Sequence, residues 1–356
     1  LATSLDIIIV NWNAGAQLRE CLNSITLAAR NRFELLRIVV VDNASSDDSA
    51  SHLEVRGFPL TILRNDTNRG FAAACNQGAL GSQASYLLFL NPDCILFEDS
   101  LEEPIRYLEE PEHEFIGIAG IQLLDAEGSV TRSCARFPTP AHLISATLGL
   151  AHLSPLRFPD HRVREWDHLE TREVDHVIGA FTMMRRALFE QLGGYDEQFF
   201  VYLEDLDLSV RMRELGIKSV YLTSARAFHK GGGCSNQART TRLFYWLRSR
   251  IIFCRKHFGW ASAAGLTVAT LLIEPLSRMA YAAAGGGVRE IGATLKAYAM
   301  LLKWLATFTF KLSRLVPGRL HRNPIAGDRI VPRNHQWNED LAADVAKPGT
   351  HTKGSH

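Results

Sequence analysis

LDIIIVNWNAG, residues Leu5–Gly15, is a near-continuous β-branched run that ends in turn chemistry. A strand with apolar side chains on both faces has to be covered on both sides, which is the condition of a parallel sheet between helices. Outward from it the pattern repeats. A helical stretch, Gln17–Ala29, leads to a second apolar strand, LLRIVVVD at Leu35–Asp42. The Ser/Asp-rich segment SSDDSASHLE at 45–54 reads as a helix start. Leu60–Arg64 is short and β-like, Gly70–Gly81 is a small-residue helix, and Ser85–Leu90 is another buried strand. These alternations predict an α/β fold, a Rossmann-like, mostly parallel sheet flanked by helices.

Further along, Ile116–Leu124 and Val177–Arg185 read as strands, and 135–172, rich in Pro, His and Arg, reads as loops and short helices. Leu208, Met212 and Leu215 mark a helix from Asp205 to Leu215, and Lys218–Leu222 is a short strand leading to His229. After Thr241 the character becomes helical, aromatic and basic. Ala261–Ala284 is apolar, but Glu274, Pro275 and Arg278 interrupt the run of about 20 residues that a simple span requires. In Ile291–Leu315, Lys296, Lys303 and Arg314 share one helical face, while Leu295, Leu302, Leu305 and Phe308 build another with Trp304 alongside. Two readings stand: a basic amphipathic helix on a membrane surface, or a helix packed on the rest of the chain or a partner. The expected division is a catalytic unit at 1–240, a helical extension at 241–316, and a poorly ordered tail at 317–356.

The 356 residues carry 39 Lys and Arg against 38 Asp and Glu, so whole-molecule attraction to nucleic acid is not expected. Six cysteines, none in a CxxC pair or with zinc spacing, read as reduced and mostly buried in a cytoplasmic chain. The start LATSLDIIIV has no basic region ahead of a long apolar run, so it reads as a strand rather than a signal peptide.

Open α/β sheets bind ligands beyond the carboxyl ends of their strands. Three such ends carry polar groups: Asn11-Trp12-Asn13, Asp42-Asn43 and Asn91-Pro92-Asp93. No GxGxxG follows the first strand and no GxxxxGK[ST] occurs, which removes the dinucleotide-binding and P-loop readings. Asp42 suits a nucleobase or ribose, or caps the turn after it. Asp93 suits a hard divalent cation, or closes an Asx turn. Glu204, Asp205 and Asp207 place three carboxylates at a helix start, where they cap the dipole or supply a general base. Asp205, at the loop-to-helix junction, is the first choice, with Glu204 and Asp207 behind it. His229, beside Gly231-Gly232-Gly233, is a structural histidine or a metal ligand.

Taken in order, VNWN, VDNASSD, NRGFAAACN, LNPD, GAFTMMRR, GGYDEQFFVYLEDLDLSVRMRELG and FHKGGG resemble the inverting family-2 glycosyltransferases of the GT-A fold. Within that family the likeness is to bacterial rhamnosyltransferase-type members of cell-surface polysaccharide synthesis, and it covers about residues 5 to 250. The resemblance implies a nucleotide-diphosphate-sugar donor, with dTDP-rhamnose first and UDP-hexoses open. It further implies Mg2+ or Mn2+ as cofactor, and a saccharide or polyprenyl-linked saccharide acceptor. It assigns Asn11, Asn13, Asp42, Asn43, Asn68, Arg69, Gly70 and Asn76 to the nucleotide, and Trp12, Gly179 and Ala180 to the donor and acceptor pocket. Asp93 and His229 then fall to the metal, and Asp205 becomes the base. Asn91 stands where many relatives have the first Asp of DxD. A homo-oligomer is compatible with the same resemblance. Two rivals use similar features: a sugar-1-phosphate nucleotidyltransferase, and a non-catalytic saccharide-binding protein on the same fold.

Overall fold

The computed structural model describes residues 3–29, 32–150, 154, 163, 165–231, 239–281 and 287–315. The expected tail at 317–356, Cys234, Gly232 and Gly233 lie outside them. Strands β1 (Ser4–Asn11), β2 (Glu34–Asp42), β3 (Leu60–Arg64) and β4 (Tyr86–Leu90) alternate with helices α1 (Ala16–Ala28) and α2 (Phe71–Ala79). β5 (Cys94–Leu96), α3 (Glu102–Glu109), β6 (Ile116–Leu124), β7 (Cys134–Ala135) and α4 (Pro140–Thr147) follow. Then come β8 (Arg172–Val174), β9 (His176–Val177), β10 (Phe181–Arg185), α5 (Arg186–Gln191), α6 (Glu204–Glu214) and β11 (Lys218–His229). The chain continues in α7 (Arg239–Leu272), α8 (Glu274–Tyr281) and α9 (Gly287–Leu315).

The main sheet runs β3-β2-β1-β4-β10-β6-β11-β5, with β8 beside β11. β1 pairs in parallel with β2 and β4, while β10 is antiparallel to both β4 and β6. Both faces of β1 are covered. Ile7 and Ile9 join a core with Leu18, Cys21 and Ile25 of α1, and Ile8 and Val10 join another with Ala72, Ala74 and Cys75 of α2. At Gly78 an added Cβ would stand 2.5 Å from Ile8 Cγ2, so the small residues of α2 let that helix lie against the sheet. Among the described residues, the five cysteines are free and buried.

Three expectations change. The 45–54 segment forms turns, because its side chains serve β1: Asn11 Nδ2 donates to Ser45 and Ser49, and Asp47 accepts from the Gly15 amide. Val177–Arg185 is two strands broken at Ile178–Ala180, and the break turns the Gly179 amide toward α6. In α9 the core-facing residues are Ala297, Tyr298, Leu301 and Trp304, packed against Ala263 and Leu266 of α7. Leu295 and Leu302 are exposed alongside Lys296 and Lys303. The side chains of Phe308 and Arg314 lie outside the described set.

Candidate active site

The carboxyl ends of β1, β2 and β4 converge, as an open α/β sheet requires of its ligand site. Asn11 is fully buried, and its Nδ2 donates 2.9 Å to Asp42 Oδ1. Asp42 is thereby fixed at the end of β2, with Oδ1 already engaged. Asn13 adopts a left-handed φ of 53° and accepts from the amides of Ser46 and Asp47, so its carboxamide shapes the loop beside the site. Trp12, between them, is half-buried.

A second loop is knitted by Asn43. Its Nδ2 donates to Asn68 Oδ1 and Gly70 O, and its Oδ1 accepts from Asn65 and the Arg69 amide. Gly70 has φ +87°, and a Cβ there would sit 2.5 Å from Phe200 O, so only glycine fits. Phe71 N donates to that same Phe200 carbonyl at 2.6 Å. Asn76 does not reach toward a ligand: its carboxamide is held by Tyr195 N and O and by Glu197. It clamps α2 onto the 194–197 loop.

After β4 the chain turns through Asn91-Pro92-Asp93 into β5, and β5 pairs with the end of β11 so that Cys94 faces His229. His229 Nε2 lies 3.4 Å from Asp93 Oδ1, and Asp93 is buried. Cys94 completes a group of possible ligand atoms within 4.8 Å of one another. Its burial, and then the Asp93 charge, push the Cys94 thiol well above its ordinary range, and Sγ is 3.4 Å from Ala180 O. That leaves one carboxylate and one imidazole, a donor set that fits Mg2+ or Mn2+ completed by phosphate and water oxygens.

The loop between β9 and β10 joins this edge to α6. Asn91 N donates to Ala180 O at 2.9 Å, and Gly179 N donates to Asp205 Oδ2 at 2.8 Å. An added Cβ at Gly179 would be 3.1 Å from that same oxygen, so the bare backbone permits the approach. Asp205 Oδ1 accepts from Leu206 N at 2.8 Å, and His176 Nε2 stands 3.5 Å from Oδ2. Burial works to raise the Asp205 carboxyl. The His176 charge, its hydrogen bond and the two amides outweigh this and hold it below its usual range. The side chain keeps 20% of its surface exposed. Asp205 is thus an ionised, oriented and reachable carboxylate.

Its neighbours differ. Glu204 is buried with Oε2 unpartnered, and burial, then the Asp205 charge, push its carboxyl well above the usual range. Asp207 is fully buried and faces α7: Arg211 Nε, Lys256 Nζ and His257 Nε2 each lie 2.8 Å from its oxygens. Its carboxylate belongs to that ion cluster, which takes it out of the choice of base. Environments that push paired carboxyls apart separate their roles, and here only Asp205 is both charged and accessible.

His176 and Ser209 were not visible in the sequence. His176 is buried, its Nδ1 is 3.0 Å from Ser209 Oγ, and that hydroxyl donates to the Asp205 carbonyl. This contact sets the ring so that Nε2 faces the carboxylate. A histidine beside an apolar strand carries no periodic signal, so only the fold reveals this contact.

Several known proteins are similar to this chain. N-acetylglucosaminyl-diphospho-decaprenol L-rhamnosyltransferase of Mycobacterium tuberculosis is 28% identical over 272 residues, covering 72% of this chain and 86% of its own. Rhamnosyltransferase WbbL of Escherichia coli K12 is 27% identical over 162 residues, 45% of this chain and 58% of its own. Among solved structures, mannosyltransferase PcManGT from Pyrobaculum calidifontis, in complex with GDP-Man and Mn2+, is similar at 19% identity and a TM-score of 0.47. That likeness covers 87% of this chain and 82% of that one. The family model for glycosyl transferase family 2 matches residues 6–193, more than half of the chain and the whole run from β1 through β10, and the chain belongs to that family.

Proposed function

We propose that the protein is an inverting glycosyltransferase that moves a sugar from a nucleotide-diphosphate donor to an acceptor hydroxyl in one displacement. The observation that carries this is Asp205, a charged and accessible carboxylate fixed by the Gly179 and Leu206 amides beside the Asp93–His229 edge. A general base of this kind must hold its proton-accepting oxygen toward the nucleophile in a partly desolvated cleft. Asp205 takes the acceptor proton as the oxygen attacks the anomeric carbon opposite the leaving diphosphate. In this reading Asp42 and the Asn43-knitted loop hold the nucleoside, and Arg69 is assigned to the diphosphate. Asp93 and His229 would hold a divalent ion, Mg2+ or Mn2+, which when bound neutralises charge on the leaving group.

Rhamnose from dTDP-rhamnose is the favoured donor sugar, because two relatives bear rhamnosyltransferase names. The acceptor class is a saccharide or polyprenyl-diphosphate-linked saccharide of cell-surface polysaccharide synthesis. The name of the Mycobacterium tuberculosis relative supports the lipid-linked form. The test is incubation with dTDP-rhamnose, UDP-hexoses and GDP-mannose over a polyprenyl-diphosphate N-acetylglucosamine acceptor. Release of nucleoside diphosphate with an inverted anomeric centre by NMR is expected. Pyrophosphate release would favour a nucleotidyltransferase, and binding without release would favour a non-catalytic saccharide-binding protein.

A further inference from the structure

From Trp260 to Met279, α7 and α8 are inside out. Between Gly259 and Ser277 the sequence has a single charged residue, Glu274, and the fold buries it. Glu274 pairs inward with Arg250 at 2.5 Å and with Arg278 at 2.7 Å. The inner face of the same helix, Ala263, Leu266, Ala269 and Thr270, is packed into the protein. The outer face is apolar: Trp260, Val268, Leu272, Leu276 and Met279 recur at eight-, four- and three-residue intervals. Val268 is 55%, Leu272 65% and Leu276 66% exposed. Single exposed apolar residues are ordinary, but a continuous stripe of them marks a contact surface.

Charge decides what covers it. Residues 239–315 hold twelve Lys and Arg against Glu274 and Glu290, in a chain whose net charge is +1. On α9 the exposed Lys296 and Lys303 each sit next to an exposed leucine, Leu295 and Leu302. Ala297, Tyr298 and Leu301 of α9 share one apolar cluster with Ala263 and Leu266, which sets α9 against the second half of α7. An apolar stripe in so basic a segment, with the Arg255 guanidinium 5.1 Å from the Trp260 ring centre at its start, complements a surface with acyl chains inside and anionic headgroups outside.

By length and composition, the helical stretch Arg239–Met279 could also cross a bilayer. Its inner face, however, is packed against α9 and holds the Arg250–Glu274 pair within the protein, so the stripe can meet lipid on one side only. We infer that the outer face of α7 and α8, with Lys296 and Lys303 of α9, docks the protein flat on an anionic lipid bilayer. This moves the sequence-expected contact from 291–315 to 260–279 and leaves α9 as its basic flank. It rests on the proposed function only for its purpose, presenting a lipid-linked acceptor to the cleft.

The test is flotation of the full chain with phosphatidylcholine vesicles, with and without phosphatidylglycerol, at low and high salt. Size-exclusion mass measurement and turnover on a soluble saccharide acceptor run alongside. Wild-type protein is expected to float with the anionic vesicles and less so in high salt. L272E/L276E, altered at exposed positions, is expected to lower the bound fraction about tenfold while melting like wild type. K296E/K303E is expected to weaken binding and flatten its salt dependence. Failure of wild type to float, or flotation of L272E/L276E equal to wild type, overturns the inference. A dimer that L272E/L276E dissociates, with no vesicle binding, overturns it in favour of an interface between copies. Flotation without turnover of any donor leaves the docking standing and removes the catalytic reading instead.

Discussion

Asp207→Asn separates the structural carboxylate of α6 from the catalytic one. Asp207 is fully buried, and Arg211, Lys256 and His257 all converge on it at 2.8 Å. Neutralising it leaves Arg211 and Lys256 facing one another at the α6–α7 contact, with His257 between α6 and α7 short of its carboxylate partner. Breaking a buried ion pair from one side costs about 3–5 kcal/mol. The low end applies here, because Lys256 is partly exposed and can turn to Asp196, which it already meets at 2.5 Å. The expected loss is therefore about 3 kcal/mol, or a fall in Tm of about 4–5 °C. Burial works to raise the Asp207 carboxyl, but His257, Arg211 and Lys256 together lower it. A lowered carboxylate stabilises the fold above its ordinary pKa and loses that contribution as pH falls through the folded value. The gap between wild type and variant should thus be complete at pH 7 and close only below about pH 4. Circular-dichroism melts across pH, with turnover measured well below both melting points, supply the assay. Turnover per folded molecule should stay within about threefold of wild type, since the base is elsewhere. A variant that melts like wild type yet loses turnover would refute the reasoning and return Asp207 to the choice of base.

Asp205→Asn should lower kcat by about 10²–10⁴-fold with donor affinity little changed, read by nucleoside diphosphate release and by calorimetry. Glu204→Gln should stabilise the protein at neutral pH. The raised carboxyl of Glu204 keeps its proton in the fold but loses it in the unfolded chain, so wild-type stability falls as pH rises above the ordinary glutamate value. The variant's advantage should accordingly be absent at pH 4 and present at pH 7.5, and equal melts at both would exclude it. Asp93→Asn and His229→Ala should each weaken Mn2+ binding about 10–100-fold by calorimetry or electron paramagnetic resonance, and chelator should silence wild type reversibly.

What could be read from the sequence was the part set by local pattern. β1 and β4 are buried along both faces and β2 over Ile38–Asp42, and apolar runs announce it, β-branched in β1 and β2 and Leu- and aromatic-rich in β4. The start of α6 is equally plain, because acids open the helix and Leu208 and Met212 face inward. What could not be read depends on distant partners. The Ser and Asp side chains at 45–54 cap turns beside β1 instead of a helix, a choice made by Asn11 and Asn13. In α9, leucines lie on more than one face, so periodicity alone could not choose. α7 selects the stripe of Ala297, Leu301 and Trp304. Asn76 and His176 followed the same rule, since a carboxamide or imidazole declares its role only through what it touches.

The start of α6 shows why the C-terminal helices belong to the chemistry. Tyr202 and Leu203, directly before Glu204 and Asp205, both adopt left-handed φ values of 71° and 66°. Neither residue type favours that region, and each such residue costs on the order of 1–3 kcal/mol. The cost is sustained from two sides. From the sheet, Phe71 N binds Phe200 O and Gly70 leaves room for Phe200. From α7, Ser249 Oγ donates 2.8 Å to Val201 O, and Tyr245 stacks on Phe200 with ring centroids 4.1 Å apart. Phe199, Phe200, Leu203 and Leu206 share one apolar cluster with Phe244, Leu247, Phe253 and Leu301. The backbone that aims Asp205 is therefore set jointly by the nucleotide-side loop and by the helices that present the apolar outer stripe. The parallel strands supply only the Phe71–Phe200 side of this support, and the other side comes from Ser249 and Tyr245, in the part of α7 that precedes its break at Gly259.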